Sequence, residues 1–185
     1  MPASRRAAAL LLAVVSSACS LGGGRSDTLA AVPSFRARTI AVAAVRGSRG
    51  KGVDISRALT RRLEAEGIAA ASLEESDSVL AGAALGLDTA ANPRVLDEIR
   101  RATGADAIAF LSLDPSWRSL DVSALDARTG EAVLRTAAHP RGDEFASPAE
   151  VAEAAARALS ALAAEHAKPR ASAPPGEPVD EIPVP

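Results

Sequence analysis

The sequence predicts an α/β domain, a mixed five-stranded sheet with helices packed on it, spanning residues 36–167. Three observations carry this expectation. Short β-branched and alanine-rich runs are separated by segments whose apolar residues recur at helical spacing. Asn, Ser, Pro and Gly stand where helices begin and end. Late in the chain the alternation changes to the period-two pattern of a hairpin.

The elements follow in order. Arg38–Val45 is a buried run that reads as a first strand, ended by Gly47, Gly50 and Gly52. Asp54 is placed to cap a helix whose stripe is Ile55, Ala58, Leu59 and Leu63, with Gly67 as its stop. Ile68–Ser72 forms a short second strand, and Ser76–Gly86 a small helix with Val79 and Leu80 inward. Asn92 then caps a helix with Pro93 at its first position, and Gly104 ends it. Ala107–Leu111 is the next strand. Trp117–Leu125 alternates, with Leu120, Val122 and Ala124 on one face, and returns through Gly130 into Ala132–Ala138. Ser147, Pro148 and Glu150 form a capping box for a last helix running to about His166. The predicted order is β-α-β-α-α-β-β-β-α. Strand–helix–strand units favour parallel pairing through crossovers.

Outside this domain the composition changes. Arg5 and Arg6 precede an apolar run, Ala7–Val15, and then Ser16, Ser17 and Ala18 stand before Cys19. A charged start, a short apolar stretch and small residues at a cleavage point describe an export signal over residues 1–18. The run falls short of the roughly 20 apolar residues that span a bilayer. Residues 19–35, with Gly22, Gly23 and Gly24, read as a flexible tether. Residues 168–185 hold six prolines, from Pro169 to Pro185, and read as a disordered tail.

Ser16–Ser17–Ala18–Cys19 resembles the lipobox of bacterial lipoproteins, although the family usually has Leu where Ser16 stands. The resemblance implies a lipid on the Cys19 thiol. Ser20, rather than Asp, then implies an outer-membrane anchor facing the periplasm. Cys19 is the only cysteine, so no intramolecular disulfide forms.

The charge of -2 offers no basic stripe for nucleic acid. Candidate chemistry is sparse. Gly47–Gly52 lies between a strand and a helix, where Arg49 and Lys51 are a weak anion-loop candidate. The phosphate-loop pattern fails at both ends, because Val45 replaces its first glycine and Gly52 its Ser or Thr. His139 and His166 have no ligand spacing around them, so no metal and no cofactor are expected. Glu74, Glu75 and Asp77, and likewise Asp97 and Glu98, fall on polar helix faces or near helix starts. Trp117, the sole tryptophan, and Arg118 beside it form a candidate interface, since exposed aromatics next to arginine anchor partners. No catalytic set emerges.

Thr39–Val42, Thr103–Ile108 and Asp126–Glu131, in this order, resemble the periplasmic domain shared by CsgG-like proteins, LpoB-like activators and the N-terminal domain of TolB. The resemblance implies a noncatalytic lipoprotein that binds or organises cell-envelope proteins. Its alternatives are a CsgG-like homo-oligomeric accessory of secretion or surface-structure assembly, and an LpoB-like regulator of peptidoglycan synthesis. No pair of long alternating segments suits a membrane pore.

Overall fold

The computed structural model describes residues 26–88 and 92–163. Its element order is β1 (Ser26–Ala31), β2 (Thr39–Arg46), α1 (Gly52–Ala65), β3 (Ala69–Ser72), α2 (Leu73–Ser76), α3 (Ser78–Ala84), α4 (Pro93–Thr103), β4 (Ala107–Leu113), β5 (Leu120–Asp126), β6 (Ala132–Ala138) and α5 (Pro148–Leu159). Short 3-10 turns follow α3 and α5. The fold is α/β, and all five expected strands join one mixed sheet. Its order is β1-β6-β5-β4-β2-β3. β3, β2 and β4 run parallel, while β4, β5, β6 and β1 form an antiparallel meander.

That topology decides where the helices go. From β2 the chain steps outward to β3 through α1, then back past β2 to β4 through α2, α3 and α4. Two right-handed crossovers travelling in opposite directions put their helices on opposite faces. β4, β5 and β6 need only hairpins, so nothing in the connections covers the second face there. After β6 the chain returns as α5, which packs beside α1.

Two cores result. On the first face Ile40, Val42, Leu111, Leu120 and Val122 meet Ile55, Leu59 and Leu63 of α1 and Val151, Ala155 and Leu159 of α5. On the second, Ala41, Ala43, Ile108 and Phe110 meet Leu73, Leu80, Ala84, Leu96 and Ile99. β2 thus turns Ile40 and Val42 to one side and the alanines Ala41 and Ala43 to the other, where α2 and α3 pack against it. Each fully buried Leu or Ile contributes about 1.5–3 kcal/mol by leaving water.

Local signals explain most boundaries. The Asn92 side chain accepts from Arg94 N at 3.2 Å, Pro93 opens α4, and Gly104 closes it at φ 67°. Ser147 accepts from Glu150 N at 3.3 Å while Glu150 accepts from Ala146 N at 2.8 Å. Gly130 takes the expected positive φ, 73°, in the β5–β6 turn.

Four expectations change. The tether assigned to residues 19–35 contains β1, which pairs antiparallel with β6 from Ser26↔Ala138 to Ala31↔Leu134. A long-range partner satisfies a backbone whose own sequence carries no alternation, and the sheet gains a sixth strand. The single helix over Ser76–Gly86 divides at Asp77, whose carboxylate caps Val79 N and Leu80 N. Val79, expected inward, sits at the second position of α3 and is 82% exposed. α1 begins at Gly52 instead of being capped by Asp54, which lies inside its first turn. Residues 1–25, with Cys19, and residues 164–185, with His166 and the proline-rich tail, lie outside the described residues.

Candidate functional site

An open stretch of sheet lies where the second face has no helix. Along β5, Leu120, Val122 and Ala124 enter the first core, and period two turns Asp121 and Ser123 the other way. Register aligns Arg46, Ser112, Asp121 and Ala137 in one row across β2, β4, β5 and β6. A second row holds Phe110, Ser123 and Arg135. Arg46, Ser112 and Asp121 of the first row and all of the second floor a concavity of about 400 Å³, walled by Leu85 at the end of α3. Arg46 reaches across to that wall, donating from Nη2 to Leu85 O at 2.7 Å. Opposite charges thus share a shallow, partly apolar bed, which suits recognition of another surface.

The glycine loop is built differently from an anion cradle. Arg49 and Lys51 are exposed, and Arg49 itself takes φ 50°. Gly47, at φ 70°, lies so close to β4 that a Cβ would fall 1.9 Å from Leu113 O. The start of α1 is already occupied by a carboxylate of the chain. Both Glu74 oxygens lie 3.2 Å from the place a Gly52 Cβ would take, and buried Ser56 donates its hydroxyl to Glu74 Oε2 at 3.2 Å. An internal anion satisfies the positive end of the helix. The neighbouring Glu75 pairs with Arg57 at 2.6 Å. Arg49 and Lys51 therefore border a filled site rather than line an empty one.

Trp117 stands in the β4–β5 turn with φ 62°, a rare conformation for a bulky residue. Its amide donates to Asp114 O at 2.7 Å, and its carbonyl accepts from Phe145 N at 2.8 Å. The ring is half-buried against the first core, and Nε1 is buried with no partner among the described residues. Trp117 therefore packs inward instead of standing proud as an anchor, because the backbone bond to Phe145 draws the turn onto the core. Arg118 remains exposed. Asp114 organises the turn: its carboxylate accepts from the hydroxyl and the amide of Ser116, which holds its pKa below the ordinary value.

His139 is half-buried after β6, beside a small hollow of about 90 Å³ that Arg141, Glu150 and Arg157 also line. Among the described residues no group of three or more His, Cys, Asp or Glu side chains is placed to hold a metal. No described helix is long and apolar enough to cross a membrane. Asp121, Ser123 and Arg135 were not singled out from sequence, although the alternation of β5 marked the two on that strand as outward-facing. Arg46 and Phe110 carried no such mark.

Neither a family model nor a curated protein matches the chain. Solved structures do. A leucine-to-methionine variant of the PelC dodecamer from Paraburkholderia phytofirmans is 16% identical, covering 76% of this chain and 99% of that one, with a TM-score of 0.51. A second structure of the PelC dodecamer from the same organism is also 16% identical, covering 76% and 98%, with a TM-score of 0.50. At this identity the likeness is one of fold, and it extends over nearly the whole of the PelC chain.

Proposed function

We propose that this chain is a noncatalytic envelope lipoprotein that assembles with copies of itself and organises other envelope proteins around that assembly. The observation that carries the reading is the fold, shared across 99% of a subunit that forms a dodecamer. The dodecameric neighbours favour a homo-oligomer, of the kind the CsgG-like resemblance implies, over a lone protomer. The surface offered for assembly is the uncovered half of the sheet, around Asp121, Ser123 and Arg135.

The anchor is the lipid on Cys19, in the outer membrane and facing the periplasm. With β1 starting at Ser26, only residues 20–25 separate the anchor from the sheet. Even fully extended, that stretch spans about 25 Å. The domain therefore works close to the membrane, which suits a ring at the bilayer surface better than an activator reaching across the envelope. Copies held on one membrane also meet at a raised effective concentration, so weak contacts suffice for assembly.

Two measurements test the reading. Cys19→Ala should move the protein from the membrane fraction to the soluble one. Native mass spectrometry of the lipidated full chain should give one discrete multiple of the protomer. If both forms fractionate as soluble, the anchor is wrong. A strictly monomeric mass would reject the assembly.

A further inference from the structure

A second concavity, at the opposite end of β4 from the Trp117 turn, gathers arginines from two segments distant in sequence. Arg100 and Arg101 come from the last turn of α4, and Arg128 from the β5–β6 turn. Together with Asp97, Gly104 and Asp106 they line a hollow of about 470 Å³. From these, we infer that it is a binding site for a phosphate group. The inference does not depend on self-assembly and goes beyond it.

The arginines are not consumed by the fold. A helix end attracts cations because its last carbonyls lack partners. Here Ile99 O accepts from the Thr103 hydroxyl at 2.7 Å, and Arg100 O accepts from Gly104 N at 2.8 Å. The guanidinium groups of Arg101 and Arg128 have no hydrogen-bond or ion-pair partner among the described residues, and Arg100 has one long contact, 3.4 Å, to Asp97. All three arginines are exposed and ready to turn toward a ligand.

The carboxylate that would oppose an anion is engaged elsewhere. Asp106 Oδ2 accepts from Arg38 N at 2.8 Å and from Thr39 N at 3.2 Å, at the start of β2. Those bonds hold the carboxylate toward β2, and the three arginines outnumber the two acids of the hollow, Asp97 and Asp106. The two arginine-bearing segments are also fixed to each other. Ala127 N donates to Asp106 O at 2.9 Å, and Ala105 and Ala127 are buried beneath the hollow. Guanidinium forks carried on a fixed backbone floor match the geometry of phosphate oxygens and bind them in pairs, as lysines do not. The volume admits a phosphate with a small organic group attached.

Such a phosphate comes either from a lipid head group or from a soluble ester, and the test separates them. The full chain carrying Cys19→Ala, free of its own lipid, is titrated with glycerol 3-phosphate by calorimetry. In parallel it is mixed with phosphatidylcholine vesicles containing phosphatidic acid, with phosphatidylcholine alone as the baseline. Saturable binding is expected, and adding Arg101→Ala with Arg128→Ala should weaken it about tenfold or more. Arg61→Ala, an exposed arginine on α1, should leave it unchanged. Binding of glycerol 3-phosphate points to a soluble ester, and binding confined to the vesicles points to a head group. Both outcomes support the site. If the alanine pair fails to fold, the Gln pair at the same positions gives the same readout. Absence of saturable binding in both arms, equal affinity after the double change, or an equal loss in Arg61→Ala would overturn the proposal.

Discussion

The two faces of the sheet are made from the same strands and end in opposite states. On the first, α1 and α5 cover the residues that β2, β4 and β5 turn toward them, and Leu59, Leu63, Val151 and Leu159 are fully buried. On the second, α2, α3 and α4 cover only the parallel half, and Asp121 and Arg135 of the antiparallel half stay exposed. The difference follows from connectivity. Parallel neighbours need crossover helices and antiparallel ones do not. A meander appended to a parallel unit therefore leaves one patch of sheet without a lid. One face supplies stability, and the other has surface to spare for a partner.

If that division is right, substitutions should sort by face. The largest effect belongs to the first core. Leu59→Ala, at a fully buried position, should lower unfolding free energy by about 2–5 kcal/mol in urea denaturation. Gly47→Ala comes next. Its new Cβ meets Leu113 O and its φ is positive, so a loss on the order of 3 kcal/mol is expected. Glu74→Gln removes the internal anion at the start of α1 and should cost about 1 kcal/mol, readable as a lower Tm. Asp121→Ala, on the uncovered face, should shift stability by no more than about 0.5 kcal/mol. A large loss there would mean that this patch belongs to the core economy after all.

The smallest effect concerns the Asp114 turn. Hydrogen bonds from Ser116 lower the carboxyl pKa in the folded state. A depressed folded value makes the contribution to stability present above the unfolded pKa, and it is lost as pH falls through the folded one. An NMR titration should place the Asp114 midpoint below that of the same residue in Ser116→Ala. Coincident midpoints would remove this account of the turn.

Much of the architecture was legible because its signals are local. Asn92, Pro93 and Gly104 bound α4 by themselves, and the alternation from Leu120 to Ala124 identified a half-buried strand. What escaped was set by partners far along the chain. β1 is a strand because β6 lies beside it, more than a hundred residues later. Gly47–Gly52 is no more than a weak anion-loop candidate in the sequence, and Glu74, folded back from α2 to fill the start of α1, has no signature within it. Trp117 looked like an anchor because an outward and an inward indole are written with the same residue. Only its φ and the bond to Phe145 N distinguish them. The uncovered face was the least visible feature, since it is the absence of a crossover and belongs to topology.

The claim that this uncovered face joins copies of the chain is tested most directly by sedimentation of the lipidated full chain in detergent, wild type against Asp121→Arg. Wild type should sediment as one discrete oligomer, and the variant should fall to the single protomer with its thermal unfolding unchanged. An oligomer that survives the substitution intact would place the interface elsewhere, and a wild type that is already a lone protomer would contradict the account.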